Sequence, residues 1–227
     1  MSVKKNDNAI IVFAKLPVEG KVKTRLAKDM GESFATSFYK VCVEHTFNVL
    51  SEFNTSSVQI FLFYPEGSET KKIKKWAGNK FSYFKQKGDD LGEKMYNAFK
   101  LIFQKNCKKV IIIGTDLPDI NHETIKDAFS YLETRDCVLG PSNDGGYYLL
   151  GFKTKVIDLF SGINWSSGSV LKKTEEKLAQ NGATYFLLNE LIDIDTKEDL
   201  ENWLKHFSGS ENHPVKAFVG SGRKFFN

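Results

Sequence analysis

The run Ile111-Ile112-Ile113 is apolar at every position, so neither face of that segment can meet water. A strand of this kind needs cover on both sides, as in a parallel sheet flanked by helices. Six further short runs at 9–14, 58–64, 81–85, 137–140, 146–152 and 184–188 read as strands. Between them the apolar spacing turns helical. Segment 32–53 places Phe34, Phe38, Val41, Cys42, His45 and Val49 on one face, and 90–104 does the same with Leu91, Met95, Phe99, Ile102 and Phe103. Segments 124–133, 167–180 and 197–207 follow the same rule, and Lys71, Lys72, Lys74 and Lys75 read as the solvated face of a further helix. Strand alternating with helix predicts a Rossmann-like three-layer α/β/α fold around a mostly parallel sheet. The runs at 137–140 and 146–152 are joined too closely for a helical crossover, so the sheet should be mixed. We expect one domain over residues 1–206 and an irregular extension over 207–227, from which Phe218, Phe225 and Phe226 could dock.

Composition narrows the function classes. With 227 residues, 41% of them hydrophobic, the chain can bury a full core, and no apolar run reaches the length of a membrane span. Residues 1–8 are polar and lack the apolar stretch of a signal peptide. Cys42, Cys107 and Cys137 are far apart and odd in number, which predicts neither a disulfide framework nor a CxxC metal site and suits a reducing, cytoplasmic setting. The net charge of +4 comes with only three arginines, Arg25, Arg135 and Arg223, among 32 basic residues. Nucleic-acid grips favour the bidentate guanidinium, so no nucleic-acid partner is expected.

Ligands of open α/β sheets bind beyond the carboxyl ends of the strands. The first such segment carries Lys15, Lys21, Lys23 and Arg25 with Gly20 and Thr24, a loop suited to cradling phosphates. It is no Walker loop, because Pro17 and Val22 stand where glycines are required. Asp116 follows the apolar run 110–114 and precedes Pro118, a position from which a carboxylate can hold Mg²⁺ or Mn²⁺. Asn143-Asp144-Gly145-Gly146 is a turn signal, yet Asp144 could equally bind metal or take the proton of an acceptor hydroxyl. Asp195 with Glu198 forms a capping box, whereas Asp193 has no such role; either could add a second metal carboxylate. Gln86 and Gly88 lead a strand into a helix, where base or sugar could be recognised. The segment 165–169 opens another helix with serines that cap it or amides that meet an anion, and His45 reads as a hydrogen-bonded core residue.

Four motifs occur in order: F-A-K-L-P-V-E-G-K-V-K-T-R-L-A, G-T-D-L-P, G-P-S-N-D-G-G-Y-Y-L-L-G and D-I-D-T-K-E-D-L. Over residues 8–206 the chain resembles the radical-SAM/selenodomain-associated transferase 1 family, GT-A-type glycosyltransferases of the nucleotide-diphospho-sugar transferase superfamily. That resemblance implies a GT-A domain with a nucleotide and a divalent cation at the sheet's carboxyl edge. Carried over, Lys23 and Arg25 would face phosphates, and Asp116 would stand for the metal-binding Asp of a D-x-D motif whose first Asp is replaced here by Gly114. Lys94 stands where the family pattern has Arg. The resulting expectation is metal-dependent glycosyl transfer from a nucleotide-diphospho-sugar to a small acceptor, with Asp144 as base. The alternative is nucleotidyl transfer from a nucleoside triphosphate to a phosphorylated acceptor, releasing pyrophosphate. A silent nucleotide-binding regulatory domain is the third reading.

Overall fold

A computed structural model of the chain describes residues 7–53 and 57–221. In chain order the elements are β1 Asn8–Phe13, α1 Thr24–Met30, α2 Glu32–Ser51, β2 Val58–Tyr64, α3 Thr70–Ala77, β3 Ser82–Lys85, α4 Leu91–Phe103 and β4 Lys109–Ile113. They continue with α5 His122–Tyr131, β5 Cys137–Pro141, β6 Tyr147–Lys153, α6 Val170–Gln180, β7 Tyr185–Leu187, α7 Lys197–His206 and α8 Pro214–Ser221. The strands form one seven-stranded sheet in the order β3-β2-β1-β4-β6-β5-β7. All pairs are parallel except those of β6, which runs antiparallel to both β4 and β5. The short β5–β6 connection forces this, so the mixed, mostly parallel sheet is as the sequence predicts.

The two-residue period of the strands divides the core. Ile10, Val12, Ile111 and Ile113 face one layer of helices; Ala9, Ile11, Val110 and Ile112 face the other. Both layers are needed because these strands carry no polar face. On α3 only Ile73 is buried, and its four lysines are exposed as expected. No helix among the described residues is long and apolar enough to cross a membrane.

Three expectations need correction. The phosphate-loop segment does not stay irregular: α1 begins at Thr24, because Leu26 and Met30 find a buried seat against α2 beside Phe34 and Phe38. The extension is not irregular either. Val215 and Val219 of α8 are buried on α2, and the Phe218 ring lies 5.5 Å from that of Phe34. Phe225 and Phe226 lie outside the described residues. The capping box on α7 is made by Thr196 and Asp199, one position later than the expected Asp195 and Glu198. Thr196 accepts the Asp199 N–H while Asp199 accepts that of Thr196, and Asp195 is thereby left free to turn elsewhere.

The chain leaves β1 for β2 on one side and reaches β4 on the other. The loops after β1 and β4 therefore diverge, opening a crevice at their carboxyl ends.

Candidate active site

Beyond β1, the Ala14 N–H still donates to Phe63 O (3.1 Å), and the Lys15 backbone exchanges two hydrogen bonds with the Tyr39 hydroxyl (3.0 and 3.2 Å). These ties fix where the loop departs. A turn over Val18–Lys21 with Gly20 at φ +70° reverses it, and buried Val22 anchors its return. Lys23 then takes the left-handed conformation (φ 45°, ψ 46°) as the residue before α1. That backbone turns its side chain inward, where it is only 2% exposed. Its Nζ donates to Asp195 Oδ1 at 2.8 Å and to Asp193 Oδ1 at 3.3 Å, and lies 3.3 Å from Asp116 Oδ1. Lys23, expected to face phosphates, is instead enclosed by carboxylates.

Each carboxylate is delivered by a separate constraint. Gly114 N–H donates to Tyr148 O (2.9 Å), which carries the β4 direction past the strand end to Asp116. The helix after it is capped by Asn121, which accepts the Thr124 N–H, so Asp116 has no capping duty. Ile194 N–H reaches Asp116 O (3.4 Å), tying the two acidic segments together. Asn143 Oδ1 accepts the Asp193 N–H (2.8 Å), while its Nδ2 donates to Asp199 Oδ1 (3.4 Å). Asn143 is the positioning residue that sequence reasoning missed, since an Asn in Asn-Asp-Gly-Gly is sufficiently explained by the turn.

The electrostatics follow from this enclosure. Burial opposes the charge on Lys23, but the three carboxylates outweigh it and hold the ammonium well above its usual range. Burial pushes Asp193 up to about 7; Lys23 pulls the other way, while Asp116 and Asp195 add to the rise. Asp195, despite burial, is held below the usual carboxylate range by Lys23, Arg25 and Lys15. Arg25 Nη1 lies 3.6 Å from Asp195 Oδ2 with its side chain 67% exposed, so that guanidinium remains open to a ligand. Asp116 Oδ1 is buried with no hydrogen bond, and the Lys23 ammonium 3.3 Å away is its counter-charge. Among the described residues no three His, Cys, Asp or Glu side chains make a ready cage for a metal ion; these carboxylates face the ammonium instead.

Two cavities meet beside the cluster. The first, about 530 Å³, sits at the β1/β4 crevice and takes in Lys15, Gln86, Lys94, Thr115 and Asp116. The second, about 400 Å³, takes in Arg25, Asp144, Trp165, Asp193 and Asp195. Leu91, Met95 and Tyr147 line both. Lys94 is a second cation of the first cavity, and its signal was its place at the start of a helix after a strand. The remaining sequence candidates are elsewhere. Gly20 packs beside the Glu32 carboxylate, Lys21 is exposed, Thr24 opens α1, and none of the three lines either cavity. Gly88 (φ +132°) also lines neither; a Cβ there would stand 2.6 Å from Glu93 Cβ, so its smallness serves the start of α4.

Asp144 helps to close its turn while also lining the second cavity. Its Oδ1 accepts the Ser142 hydroxyl (2.6 Å) and the Gly146 N–H (3.0 Å). Gly145 (φ +81°) lets the turn dock on the 165–169 loop, where a Cβ would lie 2.1 Å from Gly168 O, and its own carbonyl accepts the Leu171 N–H (2.9 Å). His45 is hydrogen-bonded as expected, with Nε2 3.0 Å from Ile120 O, but it is half-buried and lines a cavity with His213 instead of lying in the core.

A mostly parallel sheet whose strand order changes direction at β1 and β4, with acidic and basic loops gathered at that crevice, defines a Rossmann-like α/β protein, and its fold matches that of a nucleotide-diphospho-sugar transferase neighbour. A family model described as "Uncharacterized protein conserved in bacteria (DUF2064)" matches residues 49–167, and the chain belongs to that family. That description neither repeats nor contradicts the radical-SAM-associated name that the motifs resemble. The crystal structure of a candidate nucleotide-diphospho-sugar transferase from Desulfovibrio desulfuricans G20 is similar at TM-score 0.89 and 30% identity, covering 96% of each chain. A 2-phospho-L-lactate guanylyltransferase of Methanocaldococcus jannaschii is 38% identical over 107 residues, 46% of this chain and 46% of that protein. The match thus spans about half the length of the curated relative. The 4-diphosphocytidyl-2C-methyl-D-erythritol synthase of Anaerococcus prevotii DSM 20548 shares the fold at TM-score 0.58 and 10% identity, covering 97% of this chain and 99% of that one.

Proposed function

We propose that this chain is a nucleotidyltransferase: it joins a nucleoside monophosphate from a triphosphate to a small phosphorylated acceptor and releases pyrophosphate. The observation that carries this reading is the convergence of Asp116, Asp193 and Asp195 on one point between two cavities, rimmed by Lys15, Lys94 and Arg25. One cavity suits the nucleotide and the other the acceptor, with the reacting phosphates between them. The glycosyl-transfer expectation gives way to this alternative for two reasons. The relative from M. jannaschii is named a guanylyltransferase. Moreover, inverting glycosyl transfer needs a base for an acceptor hydroxyl, and one of the two carboxylate oxygens of Asp144, Oδ1, already holds two hydrogen bonds of its turn. A phosphate acceptor is ionised at neutral pH and needs no base.

In this reading an acceptor phosphate oxygen attacks the α-phosphorus, the bond from that phosphorus to the bridging oxygen breaks, and pyrophosphate departs with the electron pair. The open cations Lys15, Lys94 and Arg25 orient the phosphates and offset charge gathering on the leaving group. By its chemistry, though not as a ready cage, the donor set suits a hard divalent cation: it is all carboxylate oxygen, with Asp116 Oδ1 lacking a hydrogen bond. Asp116, Asp193 and Asp195 would hold Mg²⁺ or Mn²⁺, which when bound neutralises phosphate oxygens. The thiols of Cys42, Cys107 and Cys137, all buried, support a reducing, cytoplasmic setting.

The test is release of pyrophosphate. GTP, ATP, CTP and UTP are each incubated with 2-phospholactate and related phosphomonoesters, with nucleotide sugars as controls. We expect pyrophosphate and a nucleoside-diphosphate-linked product from at least one pair, and a fall of about 100-fold or more in kcat/KM for Asp116→Ala. Nucleoside diphosphate released from a nucleotide sugar would restore glycosyl transfer.

A further inference from the structure

The nucleotidyl-transfer reading needs both a cation among the three carboxylates and cationic groups on the phosphates, yet a lysine already fills the first position. We propose that Lys23 is a built-in counter-ion that holds the cation position while no nucleotide is bound, so that a divalent cation enters only when phosphates draw the ammonium away. This rests on the reading above and assigns its order of binding.

The ammonium is in contact with one oxygen of each of Asp116, Asp193 and Asp195, at 3.3, 3.3 and 2.8 Å. A divalent ion must approach such oxygens to about 2.0–2.1 Å, the range for Mg²⁺, so ion and ammonium cannot share the same point. Among the described residues these oxygens do not make a ready metal cage, which fits carboxylates arranged around Nζ. The lysine is also held in a conformation that an L side chain adopts at a cost. It is one of three non-glycine residues with positive φ among those described, with Asn106 and Thr154. The ion pairs maintain that conformation, and a group that removes the pairs removes the reason for it.

The chemistry of the residue fits exchange. A lysine carries a compact charge on a flexible four-carbon stem, whereas a guanidinium locked in a fork would not be released readily. Three acidic side chains face one buried ammonium, with exposed Arg25 as a further cation 3.6 Å from Asp195 alone, so a double in place of a single positive charge is accommodated once the ammonium has another anion. The triphosphate supplies it. A lysine that served only to stiffen the fold would need no such partner.

The experiment counts bound Mn²⁺ by electron paramagnetic resonance on the full chain, with and without the α,β-methylene analogue of GTP, for the wild type, Lys23→Met and Lys23→Gln. The first variant keeps the shape of the side chain and the second keeps a hydrogen-bond donor; both remove the charge. The wild type should bind Mn²⁺ weakly alone and about tenfold or more tightly with the analogue. Both variants should bind Mn²⁺ alone at least about tenfold more tightly than the wild type, and Mn²⁺ alone should raise their melting temperatures while leaving that of the wild type unmoved. Equal or weaker Mn²⁺ binding by both variants without nucleotide overturns the counter-ion role and leaves the nucleotidyl-transfer reading standing. Absence of Mn²⁺ binding in every arm, with pyrophosphate released all the same, overturns the metal-dependent part of that reading and this inference with it.

Discussion

Asp193 bears the strain of packing three acids around one lysine. Burial, with Asp116 and Asp195 adding to it, pushes its carboxyl up to about 7 in the folded chain against 3.8 ordinarily. Between those values the folded protein keeps a proton that the unfolded chain has released, so stability falls as pH rises through that window. Asp195 acts with the opposite sign, but its lowered value puts its effect below the ordinary carboxylate range, outside the window. The urea midpoint of the wild type should therefore drop between about pH 4 and about pH 7, and Asp193→Asn should flatten that drop. Equal slopes for the two proteins would mean that Asp193 is not the titrating group. The acids and Lys23 could each be picked from the sequence as candidates. Their mutual enclosure could not, because loop composition says which charges are near β1 but not which way a backbone at φ 45° aims one of them.

Helices and strands were easier to read where their apolar period repeats. The seven strands lie within a residue or two of their expected spans, as do α2, α4, α5 and α7, while α6 starts three residues late at Val170; each buries a face against the sheet or a neighbouring helix. Helices α1 and α8 were overlooked for a shared reason: each is too short for its period to stand out. Their burial comes from a separate cluster, where Leu26 and Met30 of α1, Phe34 and Phe38 of α2, Trp203 of α7 and Val215 and Val219 of α8 meet. Trp203 anchors this cluster at 1% exposure, and its indole N–H donates to Asp119 Oδ2 at 2.9 Å. Trp203→Ala should cost about 3–5 kcal/mol in denaturant unfolding, combining a cavity with the loss of that hydrogen bond. A loss under about 1 kcal/mol would mean that α7 and α8 contribute little to the folded state.

Both apolar layers rest on the same strands, Ile10 and Val12 on one side and Ala9 and Ile11 on the other. Neither layer can melt without exposing the sheet to water. We therefore expect one cooperative unfolding transition, with fluorescence and circular dichroism coincident. Two resolved transitions would contradict a single domain. The layered architecture was legible in the order of apolar runs because strand and helix periods are local properties of neighbouring residues. Asp116 could be picked out on similar grounds, as an acid at the end of a buried run. The meeting of Lys23 with Asp193 and Asp195, 170 and 172 positions away, is of another kind. It required β1 to lie beside β4, the turn at Asn143 to hold Asp193, and the α7 cap to start at Thr196 instead of Asp195. Charges so distant along the chain interact only after the core has closed and excluded the water that would otherwise screen them.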